Sequence, residues 1–452
     1  IVPNQTVPTY AKVLTVSPNY NSINVIQLPA SVTNVCTNNL GATGTLSNVN
    51  ILRSELDNYD DSSLYAKLEN EGISEVSFLN SQIYVKKDYT VTITGSSVTL
   101  PSLDNTDFIY PAFDEERYCL VTGLGTHVPI NENNVSLNSG NKSGSLTSLS
   151  VASANDCKLI VSLIKSNISS KYKKLERCSS LLIDKSKYNS TGLTLSSIYG
   201  TRVEDQEISL NRPDIFEVHG IFQSASSADP QLPAITLSGI NLQNIVVGEV
   251  LVGKTSGAVA ICVQKVSESN ITIVYKNSSI FTYGEIINFK ESLVEATVLT
   301  VTPGDQNILS DYIVDNGQRK HFYDFGRIIR KDISREVSKK IKVVFDYFKF
   351  ESTDAGDIIS VNSYPSNLYS NKIPTFNGVR NTDSIDIRPR VSDYNISSTL
   401  SPFEYGSRIF TSGSNTAAQI LKTNESIVFD YKFYLPRTDK LVLNSEGDFS
   451  LI

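Results

Sequence analysis

Over long stretches of the chain apolar and polar residues alternate one for one, the period of a strand with one buried face. Tyr89-Thr90-Val91-Thr92-Ile93-Thr94 is the clearest case, and Gly95-Ser96-Ser97 then turns the chain into Val98-Thr99-Leu100, which together predict a β-hairpin. Further extended segments are expected at 158–164, 215–223, 259–265, 271–276, 322–331, 340–350, 357–363, 430–434, 440–443 and 449–452. The run 175–183 fits helix or strand, and its surroundings favour strand. Residues 10–35 read as short extended pieces punctuated by Pro18 and Pro29. One segment breaks the period: Val49, Leu52, Leu56 and Tyr59 share a helical face, Asp61 is placed to cap a second turn carrying Leu64 and Leu68, and Gly72 stands as a C-cap, predicting a helix at about 48–71.

These elements predict a mainly β protein of several small β-sandwich or β-barrel domains in series, with a short helical segment near the N-terminus. The expected divisions are a β-rich region 1–130, an exposed Asn/Ser/Gly-rich loop 131–155, a β domain 156–235, a small β module 236–302 and a C-terminal β domain 303–452. In the module, Val247-Gly248-Glu249-Val250 returns as Tyr283-Gly284-Glu285-Ile286, 36 residues later. Glycine before the acid in both copies predicts a bend or bulge at a barrel corner.

Composition narrows the function. Only 19% of residues are charged, and polarity comes mostly from Ser, Thr and Asn, which suits pleated half-buried surfaces. A net charge of −7 argues against nucleic-acid binding; the basic group Lys171, Lys173, Lys174 and Arg177 is expected to be a solvated face. No apolar run approaches the ~18 residues a membrane span needs, so no membrane insertion is expected. The chain opens on Ile and contains no Met, which suggests a piece of a longer polypeptide. Without Trp, any stacking platform must use Tyr or Phe. Cys36, Cys119, Cys157, Cys178 and Cys262 are scattered and read as reduced, unpaired thiols of a protein assembled in a reducing cytoplasm. Asn-x-Ser/Thr triplets at Asn167, Asn277 and Asn424 are what so much Asn, Ser and Thr produces by chance.

Candidate chemistry is sparse. His127, His219 and His321 have no ligand partner at i+2 or i+4, so none is assigned to a metal. No nucleophile elbow or phosphate-binding glycine loop occurs; Gly123-Leu124-Gly125 is a tight turn. Carboxylate pairs for glycoside cleavage would come from Asp114, Glu115 and Glu116, from Asp354 and Asp357, or from Asp383 and Asp386. The first is a charge run, the second flanks a Gly turn with a weak resemblance to a calcium loop, and the third lies beside Arg388 and Arg390, which suggests ion pairs. The stretch 315–331 interleaves aromatics and arginines; it fits anion binding, or a strand whose arginines pair with acids such as Asp324 and Asp346. No catalytic, cofactor-binding or metal-ligating residue is therefore assigned, and no cofactor is expected.

The run Asn316-Gly317-Gln318-Arg319 followed by Tyr323-Asp324-Phe325-Gly326-Arg327-Ile328-Ile329-Arg330-Lys331 resembles large tail and baseplate proteins of T-even-type contractile-tailed bacteriophages, especially those of marine cyanobacteria. So do Asp386-Ile387-Arg388-Pro389-Arg390-Val391, Tyr434-Leu435-Pro436-Arg437-Thr438-Asp439-Lys440, Tyr199-Gly200-Thr201-Arg202-Val203 with Glu207-Ile208-Ser209-Leu210, and Val247-Gly248-Glu249 with Thr255-Ser256-Gly257-Ala258. The resemblance covers roughly 195–452 and implies a non-enzymatic virion component of the tail baseplate or a tail fibre, assembled in the host cytoplasm. Its implied partners are itself, as a homotrimer, and other baseplate, tail or fibre proteins. The alternatives are a receptor-binding adhesin, with 131–155 as its contact loop and a host surface receptor as partner, and a glycan-degrading tail enzyme.

Overall fold

The computed structural model describes residues 12–16, 23–27, 64–79, 81–104, 106–184, 198–224, 226, 228–238, 242–332, 340–351, 353–366, 368, 372–410, 420–422, 427–435, 440–443 and 449–451. Of the described residues 47% are strand and 5% helix, and none of their helices reaches seven residues. It is mainly β, built of several sheets and one closed barrel. Of the helix expected at 48–71, residues 48–63 lie outside the described residues, and Tyr65–Lys67 is a strand paired with Ser384–Asp386. That pairing satisfies the backbone and lays the Tyr65 ring edge-on to Phe376 at 5.2 Å, so a tertiary partner overrides the local helical period.

The chain forms two compact units whose segments interleave. One takes Ile1–Tyr59, Leu175–Lys349 and Arg390–Phe410; the other takes Asp60–Lys174, Phe350–Pro389 and Thr411–Ile452. In the second unit, Ile83–Thr94 and Ser153–Lys165 pair antiparallel along most of their length, flanked by Ile420–Leu421 on one side and Tyr118–Val121 on the other. Their inward residues, among them Ile93, Leu120, Leu159, Val161 and Leu163, make the core. The stretch 131–155, expected as an exposed loop, contains an ordered hairpin: Val135–Leu137 pairs with Gly144–Leu146, which also pairs with Val98–Leu100. Its uncharged polar residues build the turn themselves, Asn138 N–H donating to the Ser143 carbonyl at 2.9 Å and Asn141 adopting φ 55°, which Asn tolerates. Leu146 and Leu149 then enter the core. The strand expected at 357–363 gives way to a 3-10 turn, Val361–Ser363, because the Ser360 hydroxyl accepts the Asn362 N–H and offers the backbone a local partner.

In the first unit a sheet runs in the order Lys173–Ile183, Ile341–Phe350, Ile215–Gln223, Gln306–Asn307. A second, three-stranded sheet joins Glu207–Pro213, Phe325–Arg330 and Tyr312–Asp315. Residues 234–302 close a six-stranded barrel in the order Ala234–Ser238, Asn270–Tyr275, Val259–Lys265, Val250–Gly253, Ile286–Phe289, Glu295–Thr302. Leu251, Ala260, Cys262, Ile273, Ile287, Phe289 and Val298 fill it. The repeated phrase is a structural repeat: Gly248 has φ 86° and Gly284 φ 80°. Gly248 N–H donates to the Cys262 carbonyl at 2.7 Å and Gly284 N–H to the Val298 carbonyl at 2.8 Å, the same bend in each copy. A Cβ at Gly248 would also strike the Arg177 side chain.

Candidate functional site

Three neighbouring strands of the first unit bring a thiol, an imidazole and a carboxylate together. Cys178 lies on Lys173–Ile183, Asp346 on Ile341–Phe350 and His219 on Ile215–Gln223, and each offers a ligand atom within 4.8 Å of the others. All three strands depart from regular geometry here. The pairing of Ile215–Gln223 with Ile341–Phe350 shifts register between Ile215 and Glu217 and again between Val218 and Gly220, the bulge that carries His219. Cys178 holds φ 53° in mid-strand, and its N–H donates to Asp346 Oδ1 at 2.7 Å. His219 and Asp346 are buried and Cys178 half-buried.

Two further charges complete the cluster. Lys276 Nζ lies 2.7 Å from Glu217 Oε1 and 2.8 Å from His219 Nδ1, while Glu217 Oε1 is 3.6 Å from the same Nδ1. On the other side of the ring, Nε2 is 2.8 Å from Asp346 Oδ1 yet makes no aligned hydrogen bond. Burial disfavours a charged His219, but Asp346 and Glu217 outweigh it and raise its pKa above the ordinary value. His219 and Lys276 hold the Glu217 carboxyl well below the usual range despite partial burial. Burial, with the Asp346 carboxylate beside it, pushes the Cys178 thiol up to about 12.

This arrangement is not that of a thiol nucleophile. Nucleophilic catalysis needs the imidazole between thiol and carboxylate and a depressed thiol pKa. Here Asp346 occupies the middle, bonded to the Cys178 backbone and facing the ring, and the thiol points to the Cys262 carbonyl at 3.6 Å. What the cluster offers is a sulfur, a nitrogen and a carboxylate oxygen converging in a buried place. Spacing along the chain concealed it, because the three residues come from distant strands. The register break at His219 has no sequence signature.

The other sequence candidates are placed as follows. His127 is exposed and His321 half-buried, each apart from the cluster. Asp114, Glu115 and Glu116 are exposed, a solvated run. Asp354 accepts the Tyr172 and Gly356 N–H groups at 2.8 and 2.9 Å, and Asp357 pairs with Lys165. Asp383 accepts the Gly72 and Ile73 N–H groups at 3.0 and 3.1 Å and pairs with Arg380. Asp386 binds Arg388 through Nε at 2.9 Å and Nη2 at 2.7 Å; Arg390, expected to join such a pair, is buried and donates to the Pro213 and Phe348 carbonyls. In 315–331, Asp315 holds Arg319 and Arg327, Arg327 also reaches Glu207, and Asp324 holds Arg408. Asp346, expected to pair with an arginine, faces His219 instead.

The basic group is a correction. Lys171 and Lys173, expected on a solvated face, are buried: Lys171 lies over the Phe350 ring at 4.9 Å, and Lys173 over Tyr364 at 5.0 Å. Buried and exposed positions alternate over 171–174 as the chain enters the strand, which turns both inward, where aromatic faces replace water. Lys174 and Arg177 face outward and pair with Glu351 and Glu291.

The second unit carries a hollow of about 790 Å³ lined by Glu75, Phe78, Leu79, Ser166, Ser169 and Asn362 among others. Glu75 is the one carboxylate among its described lining residues, and none is Tyr. Comparison with protein-family models, with curated proteins and with solved structures finds no match.

Proposed function

We propose that the chain is a structural component of a contractile-tailed bacteriophage particle, in the tail baseplate or in a fibre and its attachment, acting through protein–protein interfaces and without catalysis. The observation that carries this reading is where the residues of the resemblance sit. Arg327, Asp324, Asp386, Arg388 and Arg390 are buried in ion pairs and carbonyl contacts, and Arg327 and Arg390 tie neighbouring strands together. Their charges are taken up in holding shape, a structural use of the residues that carry the resemblance. Exposed apolar positions such as Tyr434, Leu435, Leu441 and Leu443 give such a protein material for contact with copies of itself, as a homotrimer, or with neighbouring tail proteins.

The receptor-binding reading has one supporting feature, the hollow in the second unit, whose serines and asparagines suit a polar ligand; its described lining includes Phe78 but no Tyr. A glycan-degrading enzyme needs two carboxylates about 5–10 Å apart in a cleft, and the hollow's described lining supplies one. The test is localisation. Gold-labelled antibodies against this chain should decorate the tail end of intact particles. Labelling of the capsid alone, or of no particle, would overturn the proposal, and release of reducing ends from host polysaccharide would replace it with the enzyme reading.

A further inference from the structure

We propose that Cys178, His219 and Asp346 form a binding site for a zinc-class divalent cation that ties three strands of the first unit together. The donor set is the first argument. Thiolate, imidazole and carboxylate are the three side-chain donors zinc takes, whereas magnesium and calcium are served by oxygen alone. Distance is the second. The three ligand atoms lie within 4.8 Å of one another. A cation at roughly 2.0–2.3 Å from each donor wants them about 3.3–3.7 Å apart, which shifts of up to about 1 Å, small side-chain rotations, would provide.

The placing of the ring supplies a further pointer. The His219 side chain is only 3% exposed, and its Nε2 lies 2.8 Å from Asp346 Oδ1 without an aligned hydrogen bond. Nitrogen and carboxylate oxygen thus face one place from two strands, as two ligands of one ion do. The backbone adds to this. Cys178 sits at φ 53° and His219 in a bulge, departures that cluster where side chains must be aimed.

The exchange balances: the Cys178 thiol proton leaves to solvent as the metal–sulfur bond forms, and the metal–nitrogen bond uses the lone pair of a neutral His219 ring. Outside the donors, Glu217 Oε1 lies 3.6 Å from His219 Nδ1, placed to accept the Nδ1–H of a ring bound through Nε2. Lys276, now 2.8 Å from that Nδ1, would keep its contact with Glu217 alone. Three protein donors leave one coordination position for water.

The test uses the full chain, freed of metal by chelation and titrated with Co²⁺ as the probe. One equivalent should bind with an intense thiolate-to-cobalt absorption, which Cys178→Ser abolishes and Cys119→Ser leaves unchanged. Zn²⁺ should displace the Co²⁺ and raise Tm, and His219→Gln should weaken binding about tenfold or more. Should either variant at the site fail to fold, X-ray absorption of the Zn²⁺-loaded wild type decides: a first shell with one sulfur and nitrogen or oxygen neighbours supports the site. A shell without sulfur, no saturable Co²⁺ binding, or a charge-transfer band that survives Cys178→Ser would overturn it and leave the cluster as a buried ion-pair network.

Discussion

Glu249 and Glu285 close each other's halves of the barrel. The Glu249 carboxylate accepts the Val246 N–H at 2.7 Å, then reaches across to the Glu291 and Ser292 N–H groups at 3.0 and 2.9 Å. Glu285 accepts the Thr282 N–H at 2.5 Å and reaches back to the Ser256 N–H and hydroxyl, both at 3.0 Å. Val246 and Thr282, like Ser256 and Ser292, are 36 residues apart, so the two networks are copies. Strands Val250–Gly253 and Ile286–Phe289, which follow the two glutamates, pair antiparallel about the centre of this exchange. The strand that matches Asn270–Tyr275 in the second copy is Ala234–Ser238, which precedes the first copy in the chain.

Both carboxylates are buried, so each satisfies loop N–H groups that water does not readily reach. Glu249→Ala and Glu285→Ala should each destabilise the protein by about 3 kcal/mol, the cost of leaving buried donors unmet. Urea unfolding gives the measurement. A loss under about 1 kcal/mol in either variant would mean that the repeat is not held by this exchange.

Asp315 should make the protein's stability depend on acid. Burial alone would raise its carboxyl, but Arg319 and Arg327, with the Gly317 N–H, overcome that and hold it at about 2. A folded pKa below the unfolded value of about 3.9 adds stability that is complete well above pH 4 and disappears as pH falls through about 2. Asp315→Asn should cost roughly 2 kcal/mol at neutral pH and flatten the stability curve between about pH 4 and 2. Unfolding titrations of both proteins across that range check it; curves that stay parallel would assign the acid dependence to other groups.

Arg388 should not tolerate lysine. Its guanidinium lies 4.6 Å from the Tyr65 ring centre and 4.4 Å from that of Phe376, and grips Asp386 with two nitrogens. Both partners are fully buried. Lysine has neither the fork nor the flat face. Arg388→Lys should lose about 3 kcal/mol, as when one partner of a buried pair is removed. The double change Arg388→Met with Asp386→Leu removes both charges, and should cost less than Arg388→Met alone. If the double variant is worse than the single, the pair stabilises by more than its own neutralisation.

These predictions show which features the sequence carries openly. The alternation at 89–94 lies within the strand Ile83–Thr94, and the glycine of each Gly-Glu phrase marks a bend, because strand period and positive φ are local properties. Local reading failed where a distant partner decides. The Leu64 and Leu68 spacing fits a helix, but Ser384–Asp386 takes Tyr65–Lys67 into a strand. Lys171 and Lys173 look like solvated charge until Phe350 and Tyr364 supply ring faces for them. The Cys178, His219 and Asp346 cluster depends on three strands from distant parts of the chain and on a bulge, so no spacing rule reaches it.

The last prediction concerns assembly: the protein should form an oligomer, and three is the expected number. The hairpin of Leu441–Leu443 and Phe449–Leu451 presents Leu441 and Leu443 at 65% and 57% exposure, and Val442, on the opposite side of the strand, is exposed as well. A two-stranded ribbon with apolar residues exposed on both faces is marginal alone in water, and among the described residues no third strand pairs with it. Phe433, Tyr434 and Leu435, also exposed, extend the apolar character beyond the strand Asp430–Phe433. Closed rotational symmetry lets identical chains cover such edges without leaving one at the end, as an open chain of contacts would. Three is the number that the resemblance to tail proteins implies among the closed forms. Sedimentation of the purified protein at micromolar concentration should give a trimer, and Leu441→Glu with Leu443→Glu should shift it toward monomer while leaving the β-rich circular dichroism spectrum intact. A wild-type monomer, alone and with neighbouring tail proteins added, would defeat the assembly proposal; a dimer or larger ring would keep the oligomer and discard the number three.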